Sequence, residues 1–343
     1  MWIINGYKKI AERGNGLLFK IPRIESLSYR PLEIADFSGY NQPYHPSVLF
    51  FEEGFCGYRY WMVQTPCPID GLPYRDRWEC PCIYYSEDGI RWVTDPGVNP
   101  IDDLNPGEID NGDFFSDPHL VYRKDTHMLE CWYRITHMNH NDSQEQHQYP
   151  TWIIRKKSKD GLHWGEREVL IDLQNPKSLD VMVRSPAVLW DDNKKIYRMW
   201  YVDSLPSLSG RKIMYAESRD GMTWSGKAAI CMDRDIEPWH IDVSLFDGRH
   251  HMINYTLSGK QGLHYYESDD GIRFRYVKEL LRPSPLMFNR FFRAGLYRSC
   301  SVKAHDGMRV YFSANDGRKT YLGLLAGDDL KNMKVMSINC NSL

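Results

Sequence analysis

A seven-residue phrase that occurs four times limits what this chain can fold into more than any other feature. It reads SEDGIRW at Ser86 to Trp92, SKDGLHW at Ser158 to Trp164, SRDGMTW at Ser218 to Trp224 and SDDGIRF at Ser268 to Phe274. Asp-Gly supplies the positive φ of a tight turn and β-forming residues flank it, so each copy predicts a hairpin. One hairpin per repeat means one small sheet per repeat. The four serines are 72, 60 and 50 residues apart, which leaves room for about four short strands in each unit.

A weaker motif upstream of each hairpin confirms the period and adds a fifth unit. The segments YHPSVLFF from Tyr44, SDPHLVYR from Ser116, RSPAVLWD from Arg184, WHIDVSLF from Trp239 and RSCSVKAH from Arg298 align without gaps. Each precedes a second aromatic, β-rich run, around Trp61, Trp132, Trp200, Tyr255 and Tyr311. The fifth hairpin has decayed to GLLAGDDLKNM near Asp328, as terminal repeats do. Units of this length suit propeller blades better than solenoid coils or an immunoglobulin-type sandwich. The expectation is an all-β chain forming a single five-bladed β-propeller of four-stranded blades over residues 1–343. Residues 1–40 form a lead-in, and its strand GLLFKIP (Gly16 to Pro22) is expected to close the ring against MKVMSI from Met333.

Bulk composition narrows the partners. Hydrophobic residues at 42% supply a core, and a net charge of −2 argues against a nucleic-acid surface. Aromatic residues at 13% on a charge-balanced chain suit sugar faces, which stack on rings. No run of 18 apolar residues predicts a membrane span, and the N-terminal segment lacks a core of signal-peptide length, so a cytoplasmic chain made without a leader is expected. The eight cysteines have no disulfide-framework spacing, and reduced buried thiols are the expected state.

In a propeller the first strand of each blade lines the central channel, and these strands start at one mouth. The aligned lead residues are His45, Asp117, Ser185, His240 and Ser299, preceded by Tyr44, Ser116, Arg184, Trp239 and Arg298. Polar groups at the start of apolar strands are what a pocket floor requires, because without water or a ligand they would be poorly satisfied.

The repeated hairpins, the five-unit spacing and the Asp117-Pro118 pair together resemble the five-bladed glycoside hydrolases of family 43 and their furanosidase relatives, over almost the whole chain. That resemblance implies a carbohydrate ligand and three carboxylates on the lead positions of the first three blades: a base or nucleophile Asp, a modulating Asp and an acid Glu. Asp117 meets the second. His45 stands at the first and Arg184 or Ser185 at the third, so two of the three are unmatched and enzymatic activity is left open. The phrases HPSVLFF, YWMVQTP, SDPHLVY, RSPAVLW, WHIDV and LYRS more closely resemble uncharacterised glycosidase-like propellers carried by bacteriophages and prophages, which implies virion partner proteins and assembly into a particle.

Glycoside hydrolysis needs two carboxyl groups across the scissile bond. The catalytic candidates are Asp117, Asp242, which shares its strand face with His240, and Glu79, which leads the third strand of blade one. Each also has an ordinary structural role open to it, in a turn cap or an ion pair. His45, His240 and Asp117 could instead form a two-His, one-carboxylate metal face for calcium or a transition ion. The alternative is histidines hydrogen-bonded across a wet channel, with no cofactor. Arg134, Arg184 and Arg298 would suit an acidic sugar through bidentate forks, or else pair with Asp117 and Asp242. Trp239 is the pocket aromatic, with Ser185 beside it, whereas Trp61, Trp132 and Trp200 belong between blades. Two readings follow: a glycoside-hydrolase-like protein binding and hydrolysing a glycan at the channel mouth, or a non-catalytic carbohydrate-recognition or structural component of a phage particle.

Overall fold

Short runs of β-branched and aromatic residues, broken by Gly, Asp and Asn, favour antiparallel strands joined by tight turns. A computed structural model describes residues 30–67, 79–137, 151–172, 183–203, 210–257, 261–283 and 291–336. Blade one holds β1 (Pro43–Phe55), β2 (Tyr58–Pro66) and β3 (Cys82–Ser86), with Tyr85 bridged to Val93 where an outer strand would lie. Blade two is β4 (Phe114–Arg123), β5 (Met128–Thr136), β6 (Thr151–Ser158) and β7 (Glu168–Asp172). Blade three is β8 (Val183–Asp191), β9 (Ile196–Asp203), β10 (Lys212–Ser218) and β11 (Trp224–Ala229). A two-residue strand, β12 (Cys231–Met232), then adds in parallel to the outer edge of blade four, which is β13 (His240–Phe246), β14 (Arg249–Thr256), β15 (Gly262–Ser268) and β16 (Arg273–Leu281). Blade five is β17 (Gly295–Ala304), β18 (Gly307–Asn315), β19 (Thr320–Gly327) and β20 (Lys334–Val335).

The innermost strands β1, β4, β8, β13 and β17 adjoin in that order, and β17 returns to β1, so the five sheets close a ring. All five expected first strands are present. The expected closing strand at Gly16 to Pro22 lies outside the described residues. The lead-in reaches the ring at Leu32, whose N–H donates to the Leu322 carbonyl at 2.8 Å, while β20 supplies the outer strand of blade five.

The repeated phrase turns out to be both a turn and a joint. In every copy the Ser hydroxyl accepts the Gly N–H at 2.8–2.9 Å. The Asp Oδ1 accepts the two N–H groups beyond that glycine, also at 2.8–2.9 Å. Three of the glycines then lie against a large ring of the preceding blade, Gly161 on Trp61, Gly221 on Trp132 and Gly271 on Trp200, while Gly89 meets Arg309 Nη1 and the Tyr311 hydroxyl of blade five. Trp200 Nε1 donates to the Gly271 carbonyl at 2.7 Å and the Tyr311 hydroxyl to that of Gly89 at 2.9 Å. Trp61, Trp132 and Trp200 are fully buried, as expected of inter-blade core. The aromatic that ends the phrase is buried at Trp92, Trp224 and Phe274, but Trp164 is only half-buried.

No disulfide joins any of the seven cysteines among the described residues. Among those residues, no helix is long and apolar enough to cross a membrane.

Candidate functional site

Four of the five inner strands begin with an irregularity, and in three of them it holds a proline. Pairing in β1 skips between Tyr44 and Ser47, in β4 between Ser116 and His119, and in β8 between Arg184 and Ala187. Inside the skips stand His45-Pro46, Asp117-Pro118 and Ser185-Pro186. Proline cannot donate to a ladder, so the sheet bulges there. The residue before each proline adopts a positive φ: 51° at His45, 55° at Asp117 and 50° at Ser185. These bulges, at the starts of neighbouring strands, bring side chains from three blades to one channel mouth. β13 pairs without interruption and delivers His240 directly.

One nitrogen each of His45 and His240 and one oxygen of Asp117 lie within 4.8 Å of one another, and all three residues are buried. Asp117 is the hub. Arg134 Nε approaches its Oδ2 at 3.1 Å, His240 Nδ1 its Oδ1 at 3.3 Å and Arg298 Nη1 its Oδ1 at 3.9 Å. The Ser185 N–H donates to Oδ2 at 3.2 Å. Burial alone would raise the Asp117 pKa. The charges of Arg134 and then Arg298 outweigh it and hold the carboxyl well below the usual range. Burial drives the His45 imidazole down to about 3 and His240 well below its ordinary value, so both are neutral. Asp117 Oδ1 and both His240 nitrogens are buried without a hydrogen-bond partner. Buried polar atoms left in that condition call for a ligand, water or ion.

Glu79, also at positive φ (53°), stands at the rim of this group. Its Oε2 is 3.9 Å from His45 Nδ1, and its Oε1 accepts from Cys67 Sγ at 3.7 Å. His45 Nδ1 further meets Thr65 Oγ1 at 3.0 Å. The wall beside His45 and His240 is aromatic. Tyr297 stacks on Tyr44 (centroids 5.0 Å, 20°), meets His240 edge-on at 4.2 Å and accepts a 2.7 Å hydrogen bond from Trp239 Nε1. The guanidinium carbons of Arg184 and Arg211 lie 4.3 Å and 4.7 Å from the Trp239 ring centroid.

Of the residues expected at the mouth, His45, Glu79, Asp117, Arg134, Arg184, Ser185, Trp239, His240 and Arg298 therefore converge. Arg134 and Arg298 face Asp117 directly, the second of the two arrangements that the sequence leaves open. Asp242 lies further along the channel, where its Oδ2 accepts from the N–H and hydroxyl of Ser301 at 2.9 and 3.2 Å. Burial raises its pKa to about 6.

Two members escaped the sequence reading. The gap-free alignment puts Arg298 and Ser299 at the mouth, but pairing in β17 skips between Leu296 and Ser299, so Tyr297 and Arg298 occupy the bulge. Without a proline to mark it, that bulge leaves no sequence signal. Arg211 precedes β10 and reaches the mouth by donating its Nε to the Pro238 carbonyl at 2.9 Å.

No protein-family profile matches the chain. It is similar to an A type blood N-acetyl-α-D-galactosamine deacetylase of Flavonifractor plautii, with 26% identity over 325 residues. That match takes in 80% of this chain, and the chain spans 40% of the relative's length. A crystal structure of an N-acetylgalactosamine deacetylase from F. plautii in complex with blood group B trisaccharide superposes with a TM-score of 0.68 at 22% identity, covering 86% of this chain and 92% of that one. A β-xylosidase (TM-score 0.60, 11% identity, 86% and 95% covered) and a family 43 β-1,3-galactosidase (0.57, 12%, 92% and 99%) share the fold.

Proposed function

We propose that the channel mouth hydrolyses the acetamide of an N-acetylated amino sugar in a glycan, with a divalent cation held by His45, Asp117 and His240. The observation that carries this reading is the buried triad itself, with ligand atoms within 4.8 Å and several of them unpartnered. Two neutral imidazoles and one carboxylate fit a borderline transition ion better than calcium, which takes six to eight oxygens. When bound, such a cation acts as a Lewis acid toward a carbonyl oxygen. The similarity to a deacetylase supports the choice of bond. So does the absence of carboxylates at two of the three positions used by the family 43 hydrolases.

The chain's own residues supply the remaining chemistry. Glu79 is the base: it takes a proton from the attacking water and returns it to the leaving amine as the C–N bond breaks and acetate departs. Burial keeps the Tyr297 phenol protonated. Its oxygen already accepts from Trp239, so its own proton is free to meet the oxyanion that develops on the acetyl carbonyl. Asp117, held ionised by Arg134, cannot serve as an acid.

The test is to strip the protein with a chelator, reload it with manganese or zinc, and measure metal content, acetate and new reducing ends on N-acetylated oligosaccharides. Acetate without new reducing ends is expected, lost on stripping and restored by the metal. Glu79→Gln should lower kcat by about 10²- to 10⁴-fold with metal content unchanged, while Asp117→Asn should lose both metal and turnover. New reducing ends without acetate would replace this reading with glycoside hydrolysis. Saturable glycan binding with neither product would leave the recognition module, on a phage particle or elsewhere.

A further inference from the structure

Four guanidinium groups surround the mouth, and three have an assigned counter-ion. Arg134 and Arg298 face Asp117, and Arg211 Nη2 lies 3.4 Å from Glu237 Oε1. Arg184 has none among the described residues. Its Nε and Nη1 are buried without a hydrogen-bond acceptor, and the ring it rests on, Trp239, offers only a π-face. A cation–π contact contributes about 0.5–2 kcal/mol and leaves the Nε and Nη1 N–H groups unsatisfied. Leaving a mostly buried charge uncompensated costs more than that. Burial, reinforced by the neighbouring Arg134, accordingly lowers the Arg184 pKa to about 10.

Position adds the second half of the argument. Arg184 touches Trp239, Trp239 donates to Tyr297, and the Tyr297 ring abuts His240, so the unpaired guanidinium lies two aromatic side chains away from His240. That is where the sugar next to the reacting unit would rest, with the buried Trp239 ring holding Arg184 in place. A guanidinium with unpaired N–H donors matches a carboxylate by charge and by hydrogen bonding.

We infer that Arg184 and Trp239 form an anionic subsite that selects glycans carrying a carboxylate, as in a uronic or sialic acid, on the sugar adjoining the N-acetylated one. This inference deepens the reading of the mouth as a glycan site and rests on it. Opposing charges do not cancel it. Asp117 is committed to Arg134 and Arg298, Glu237 to Arg211, and Glu79 stands beside His45.

The experiment uses the full chain and two N-acetylated oligosaccharides that differ only in whether the neighbouring sugar carries a free carboxylate or its methyl ester. Calorimetric binding and acetate release are measured on the same samples. The wild-type protein should bind the acid about 10- to 100-fold more tightly than the ester, the equivalent of one to two charge-assisted hydrogen bonds, and the ratio should shrink as salt rises. Arg184→Gln should bring the ratio close to one, and Arg184→Lys should keep part of it, because an ammonium retains charge but not the fork. Equal binding of both glycans by the wild type would overturn the inference, as would a full preference surviving in a folded Arg184→Gln. Should that variant fail to fold, the wild-type ratio and Arg184→Lys decide. Acid-selective binding without acetate release would overturn the hydrolytic reading and leave the anionic subsite standing. Acetate release from both glycans at equal affinity would do the reverse.

Discussion

Gly161→Ala isolates the contact on which each blade joint depends, because its two costs can be measured separately. Gly161 has a φ of +79°, and a Cβ built on it would overlap the six-membered ring of Trp61. Gly248, in the β13–β14 hairpin, has a φ of +72° and nothing within 4 Å of the corresponding Cβ. Gly248→Ala should therefore show the left-handed backbone cost alone, about 1–2 kcal/mol. Gly161→Ala adds overpacking against a fully buried indole whose Nε1 is tied to the Phe55 carbonyl at 2.9 Å. Such overpacking costs a further ~1–3 kcal/mol, for a total of about 2–5 kcal/mol. Equilibrium urea unfolding of both variants gives the difference as a shift in midpoint at constant slope. Equal losses in the two would refute the claim that the repeated glycine is where blade meets blade, leaving it a turn residue only.

Three further outcomes follow from the same contacts. Trp224→Ala should cost about 3–5 kcal/mol, the range for truncating a buried large aromatic, while the half-buried Trp164→Ala should cost less, roughly 1–2 kcal/mol; chemical denaturation of both checks the order. Asp242 has a folded-state pKa raised to about 6, so the folded protein takes up a proton that the unfolded chain does not between about pH 4 and 6, and stability falls as pH rises through that window. Asp242→Asn should flatten this slope and relieve roughly 3 kcal/mol above pH 6, as read by urea midpoints across pH; an unchanged slope would contradict the assignment. Arg134→Gln removes the nearest cation from Asp117, whose depressed pKa contributes stability lost only at low pH, so acid unfolding of the variant should begin at a higher pH than in the wild type.

The fold was legible because the sequence repeats its joints. Ser, Asp and Gly recur at fixed offsets since each has its own hydrogen bonds or close approach to make, and Trp61, Trp132 and Trp200 recur because each must fill the space above the next blade's glycine. The mouth was legible to the extent that strand starts could be counted. His45, Asp117, Ser185 and His240 were found this way. Tyr297 was missed because a bulge without a proline shifts β17 relative to the other inner strands, and no periodicity reports that. The arginines were found as a group but not sorted. Residue type cannot distinguish Arg134, 3.1 Å from Asp117, from Arg184, stacked on Trp239 without an acceptor. Burial of the hairpin aromatics likewise depends on the neighbouring blade, and so Trp164 departs from Trp92 and Trp224.

The placing of backbone strain connects the fold with the chemistry. A propeller does not need its inner strands to bulge, since β13 runs unbroken from His240. Three neighbouring strands nevertheless hold a non-glycine residue at a φ of 50–55° immediately before a proline, a conformation that costs on the order of 1–3 kcal/mol at each position. The three do different work. The bulges in β1 and β4 bring His45 and Asp117 within ligand distance of His240. The bulge in β8 serves the second, because it places the Ser185 N–H on Asp117 Oδ2 while the Ser185 hydroxyl accepts the Ile241 N–H at 3.0 Å and ties blade three to blade four beside His240. The strained positions thus converge on a single carboxylate, and strain concentrated on one buried group is what a preorganised site would require of an otherwise regular ring.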